Sequence, residues 1–149
     1  MRARSRARKL ALQALYQAWF NPSPSQRLID QFHLQHRRLA PGQMDWELFG
    51  ELVRGALVEG EASDAAIAPH LSCRLDQLDP TERQLLRMAA YELNHHAESP
   101  TLSVIDDAVH LAKSFGATDS YKLVNAVLDK LVRSLPQRAT DLSGQNPTS

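Results

Sequence analysis

Apolar and polar positions along the chain repeat at helical spacing almost throughout. Leu12, Leu15, Tyr16 and Trp19 fall on one stripe of a helix predicted over 4–20, and Asn21-Pro22-Ser23-Pro24 stops it. Ser25 can cap a second helix that turns Leu28, Ile29 and Phe32 inward and ends in His33, His36, Arg37 and Arg38, cations suited to its carbonyl end. Asp45 can cap a third, reaching about Gly60, with Phe49, Leu52, Val53 and Ala56 at helical intervals, and Ser63 opens a short helix to about residue 71. Asp79-Pro80-Thr81-Glu82 is the clearest start signal, with an N-cap, a first-turn proline and a glutamate to close a capping box. The helix after it is apolar nearly all round, which predicts a central position: Leu85, Leu86, Met88, Ala89, Ala90, Tyr91 and Leu93.

Ser103 begins a further helix with Val104, Ala108, Leu111 and Phe115 on one face, and a last helix over 120–135 carries Val124, Val127, Leu128 and Leu131. Gly116 separates the two, suited to left-handed helix closure, and Thr118 or Asp119 can cap the last helix. Two helices pinned into one core would hold Ser114, Asp119, Ser120 and Lys122 at a rigid polar corner, either a binding surface or a solvated turn. No segment reads as a strand, so the predicted class is all-α, a single compact bundle of about six or seven helices over 1–136. Residues 137–149, rich in Gly, Pro, Ser and Thr, read as a disordered polar tail.

With 149 residues and 43% apolar content the chain can bury a core without disulfides or metals. Formal net charge is zero, but Arg2, Arg4, Arg6, Arg8 and Lys9 crowd the first nine residues without an acid. Arginine's planar fork binds phosphate and stacks on exposed bases, so the arm is either an RNA-contacting element or a solvated terminus. The single cysteine, Cys73, suits a reducing compartment, and no apolar run or signal peptide points to a membrane, so the expected location is cytoplasmic.

Catalytic and metal patterns are largely missing. The six glycines are scattered and form no phosphate loop. His95-His96 and Asp106-Asp107 are adjacent pairs, which on a helix point about 100° apart and cannot readily share one ion or one proton. The expectation is a protein that is not an enzyme and needs no cofactor or metal.

Three stretches resemble the NusB family of bacterial transcription antitermination factors: RSRARKLALQALYQ over 4–17, DPTERQLLRMAAYEL over 79–93, and LAKSFGATDSYKLVNAVLDKL over 111–131. The resemblance implies an all-helical factor that binds boxA RNA together with NusE, the small-subunit ribosomal protein. Such a factor joins RNA polymerase and other Nus factors during ribosomal RNA synthesis. By position it implies RNA contact at Arg2, Arg4, Arg6, Arg8, Ser114, Asp119, Lys122 and Leu123, and NusE contact at Tyr16, Glu82 and Arg83. The arm and the corner would then form one surface. Asp106 and Asp107 stand where the family more often has Asn and Glu, and Leu123 where Phe is common. An accessory domain of a ribosomal RNA cytosine methyltransferase and a purely structural helical adaptor are the alternatives. A homodimer that hides the RNA surface is also left open.

Overall fold

The computed structural model describes residues 2–145. Its helices are α1 (Ala3–Phe20), α2 (Ser25–Gln35), α3 (Trp46–Val58), α4 (Gly60–Ile67), α5 (Pro80–His95), α6 (Thr101–Phe115) and α7 (Ser120–Ser134), with short 3-10 turns between several of them. The described residues contain no strand. As its all-round apolar pattern predicts, α5 is central and packs against α1, α3, α4, α6 and α7. Around it α1, α2 and α3 pack on one another, and α6 lies along α7.

Local signals set several helix ends. The Asp79 carboxylate accepts from the Glu82 N–H at 2.8 Å and Glu82 accepts from the Asp79 N–H at 3.1 Å, the reciprocal capping box read from the sequence. Asp45 likewise caps α3, accepting from the Leu48 N–H at 2.9 Å. Other starts differ. Ser25 makes no cap and is itself the first residue of α2, α4 begins at Gly60 with Ser63 buried inside it, and α6 begins at Thr101.

The buried face of α1 takes in only half of the expected stripe, Leu12 and Leu15. Tyr16 and Trp19 are 44% and 41% exposed, whereas Ala7, Ala11, Ala14 and Ala18 are buried beside Leu10, Leu12 and Leu15. Small residues allow close approach to α3 and α5, and that displaces the aromatics outward. Phe115, also expected inside, is 45% exposed.

Gly55 marks the tightest helix crossing. A Cβ there would lie 2.2 Å from the Tyr91 ring. Gly55→Ala gains helix propensity of up to about 1 kcal/mol, but forcing the ring aside costs about 1–3 kcal/mol. The expected outcome is net destabilisation, read as a lower urea midpoint with an unchanged slope. A raised midpoint would show that Tyr91 moves freely.

Residues beyond Pro136 depart from the predicted tail. Arg138 and Leu142 are each 3% exposed, and a 3-10 segment runs over Ala139–Gln145. The cause is side-chain anchoring: the buried Arg138 guanidinium bonds the α5–α6 connection. Residues 146–149 of that predicted tail lie outside the described residues.

Candidate nucleic-acid interface

The basic arm forms the first turns of α1, where cations oppose the positive end of the helix dipole. Tertiary bonds hold it there. Arg8 is 3% exposed and grips Glu92 with two parallel bonds, Nε to Oε1 at 2.9 Å and Nη2 to Oε2 at 2.7 Å. Its Nη1 donates to Asp107 at 2.7 Å, and the Ser5 hydroxyl donates to the same carboxylate oxygen at 2.9 Å. Burial alone disfavours the Arg8 cation, but the bonds and charges of Glu92 and Asp107 outweigh it and raise its pKa above the ordinary arginine value. The Arg8 fork is thus taken up by the buried Glu92 and the partly exposed Asp107, and the side chain is turned away from solvent.

The other arginines keep access to solvent. Arg2 is exposed. Arg4 donates to the Ser99 hydroxyl at 2.6 Å and lies 3.7 Å from Glu92 and 3.8 Å from Asp45. Arg6 turns the other way and donates to the carbonyl of Gln43, in the turn before α3. A groove of about 650 Å³ runs between the arm and α6, lined by Arg2, Arg4, Ser5, Ser103, Asp106 and His110 among others.

The corner between α6 and α7 is built differently from the sequence expectation. Gly116 is extended, with φ −86° and ψ 174°, and not left-handed. It is needed because a Cβ would lie 2.7 Å from the Ala112 carbonyl and 2.8 Å from the Ser120 Cβ. The left-handed residue is Asp119, with φ 70°, a region aspartate tolerates better than most residues. Its carboxylate makes no cap, and it pairs with Lys122 at 3.3 Å on the solvent side. Ser114 is exposed, whereas Leu123 packs against the core. Lys113 and Lys122 hold their ammonium groups 4.9 and 6.0 Å from the centre of the Tyr121 ring. Both lie at the corner, but neither Tyr121 nor Lys113 stood out in the sequence. A tyrosine beside Lys122, two residues after Asp119, was the only available signal.

Arm and corner do not merge into one patch. The arm is bonded to Asp107, and at about 1.5 Å of rise per residue the helix from there to Gly116 is about 14 Å long. The arm lies along the groove beside Pro100, Ser103, Asp106, Asp107 and His110, and the corner follows the end of α6.

Between them lies an apolar cleft of about 320 Å³, lined by Leu12, Gln13, Tyr16, Thr81 and Phe115. Tyr16 packs on the exposed Phe20 with ring centres 5.0 Å apart. Trp19 lies beneath Arg83 and Arg87, at 5.2 and 5.9 Å from its ring. Arg83 and Arg87 both bond Asp64. Burial would raise the Asp64 pKa, but those bonds, from Arg87 foremost, hold it below the ordinary aspartate value. Exposed aromatics grouped along a cleft are the kind of surface that receives a protein partner. Glu82 borders it but is already engaged: besides the capping box, its Oε2 accepts from the Ser120 hydroxyl at 2.7 Å, which ties the start of α5 to the start of α7.

Among the described residues no cluster of His, Cys, Asp or Glu has the geometry to hold a metal ion. No described helix is long and apolar enough to cross a membrane.

The NusB family profile matches residues 5–133. The chain is 44% identical over 133 residues to the transcription antitermination protein NusB of Teredinibacter turnerae, covering 89% of this chain and 88% of that protein. It is 43% identical over 140 residues to the protein of the same name from Paraburkholderia xenovorans, covering 93% and 94%. Among solved structures it is similar to a chain from the crystal structure of antitermination factors NusB and NusE in complex with dsRNA. That match has a TM-score of 0.77 and 28% identity, and covers 91% of this chain and 99% of that one. The T. maritima NusB structure matches with a TM-score of 0.71 and 28% identity, covering 88% and 92%.

Proposed function

The chain belongs to the NusB family, and from that premise we propose that it is a transcription antitermination factor that binds boxA RNA together with NusE. Its role is binding, not catalysis, and its place is the cytoplasmic antitermination complex of RNA polymerase and other Nus factors during ribosomal RNA synthesis. The observation that carries the reading is spatial: polar, cationic ends at the arm and the corner flank an exposed aromatic cleft on one rigid fold. We assign RNA contact to Arg2, Arg4 and Arg6 at one end and to Ser114, Tyr121 and Lys122 at the other. Asp119 keeps its carboxylate at the corner surface, free of any capping role. Tyr16, with Phe20 and Phe115, forms the NusE face. Arg83 borders it through Trp19.

The test is fluorescence anisotropy over a salt series, with boxA single strand, a scrambled strand and a duplex, each with and without NusE. Sequence-dependent binding strengthened by NusE is the expected result. Replacing Arg2, Arg4 and Arg6 together by alanine should weaken all RNA binding by about tenfold or more at low salt and flatten the salt slope by up to about 2, as phosphate contacts are lost. Equal, weak, salt-erased binding to every RNA by the unaltered chain would overturn the reading. Sedimentation of the same samples reports whether two copies pair.

A further inference from the structure

The chain beyond residue 133, where the family match ends, returns to the fold chiefly through Arg138. The buried Arg138 guanidinium donates to four acceptors: Leu93 O at 2.7 Å, Ser99 O at 2.8 Å, Thr101 Oγ1 at 2.9 Å and His96 O at 2.6 Å. These acceptors bracket the whole α5–α6 connection. Leu93 and His96 supply carbonyls at the end of α5, where a cation is favoured by the dipole, and the His96 carbonyl also accepts from the Ser99 N–H at 2.9 Å. The Thr101 hydroxyl in turn donates to Asp141, and Leu142 is buried beyond it. The segment is a clasp on the loop.

That loop also carries the partner of the RNA arm. Ser99 is 1% exposed and lies between two arginines, its carbonyl accepting from Arg138 and its hydroxyl accepting from Arg4. Arg4 is also ion-paired with Glu92 at 3.7 Å and with Asp45 at 3.8 Å, and the Ser99 hydroxyl sets where its guanidinium sits between them. The bond to the Ser99 hydroxyl is the shortest of these contacts, and the Arg4 side chain remains 38% exposed.

We propose that Arg138 is a positioning residue for RNA binding: by fixing Ser99 it holds the Arg4 guanidinium in one place between Glu92 and Asp45, with its solvent side turned to a phosphate. The inference rests on the reading above that Arg4 touches RNA. A lysine at 138 could not serve all four acceptors, because it has a single ammonium in place of a planar fork.

The test compares the full chain with Arg138→Met, Arg138→Lys and Ser99→Ala, each alone and combined with Arg4→Ala, at a temperature where circular dichroism shows every variant folded. Affinities for boxA RNA and for NusE are read separately. Arg138→Met is expected to lower RNA affinity about fivefold or more, with NusE affinity unchanged, Arg138→Lys falling between. In the Arg4→Ala background the effect should vanish, as it must when one residue acts through the other. Ser99→Ala keeps the carbonyl and removes only the hydroxyl, so it should reproduce the RNA loss even if Arg138→Met fails to fold. Unchanged RNA affinity, equal losses for RNA and NusE, or the same loss without Arg4 would each overturn the proposal. If the unaltered chain binds no RNA, the functional reading falls first and this inference with it.

Discussion

Arg8→Ala is expected to destabilise the fold by about 3–5 kcal/mol, because it strips the buried Glu92 carboxylate of the two hydrogen bonds it receives from Arg8 and leaves only the Arg4 guanidinium, 3.7 Å away, to oppose its charge. Glu92 is 1% exposed, and both its oxygens are bonded by the Arg8 fork. Asp107 would lose a bond as well, but it reaches solvent and keeps the Ser5 hydroxyl. The decisive comparison is with the double substitution Arg8→Met with Glu92→Leu. Removing both charges together restores an apolar contact and should recover most of the loss, since a buried pair is often no better than a packed apolar one. Urea denaturation of the single and double variants measures this. A single-variant loss below about 1 kcal/mol would mean that the pair is open to water. The RNA consequence separates Arg8 from its neighbours. Because the Arg8 fork is taken up by Glu92 and Asp107, the salt slope of the folded fraction should stay at its original value, in contrast to the arm variants.

Arg8 also shows where sequence reading stops. Five cations in nine residues look like one functional unit, yet the chain folds Arg8 onto a glutamate 84 positions away. Nothing local marks Glu92, which sits in a run read as the apolar centre of α5. Arg138 escaped for the same reason: its four acceptors lie 37 to 45 positions upstream, and its own surroundings are Gly, Pro, Ser and Thr in the manner of a tail. Local chemistry was legible. The Asp79–Glu82 box, the Asp45 cap and the Val124–Val127–Leu128–Leu131 stripe depend on neighbours within one or two turns, and the structure has each of them. On α1 Leu12 and Leu15 are buried as expected, but Tyr16 and Trp19 were misplaced because large apolar residues were taken to mark burial. Alanines lie inside, and the excess aromatic surface left outside is the cleft assigned to a protein partner. The corner was placed correctly but its torsions were exchanged, with Asp119 rather than Gly116 in the left-handed region and Gly116 required for closeness instead.

The second large effect is expected at Glu82, whose position at the cleft edge suggests a direct contact but whose bonds point inward. Glu82→Lys removes the capping-box closure and leaves the Ser120 hydroxyl, 2% exposed, without its acceptor. Asp79 still caps the helix through the backbone N–H of residue 82, so losing the one reciprocal bond costs about 1 kcal/mol and the orphaned hydroxyl about 1–3, for a combined expectation of about 2–4 kcal/mol. The same substitution frees the start of α7 from the start of α5, so the corner should loosen and RNA affinity should fall along with NusE affinity. Glu82→Gln separates geometry from charge. Its amide oxygen can still accept from the Asp79 N–H, and its NH₂ can donate to the Ser120 oxygen, so stability should change by less than about 1 kcal/mol. Near-normal NusE binding in Glu82→Gln, with both affinities reduced in Glu82→Lys, would identify Glu82 as the tie between the protein face and the RNA corner. A Glu82→Lys variant that melts like the unaltered chain, binds RNA normally and loses only NusE would instead place the carboxylate in direct contact with the partner.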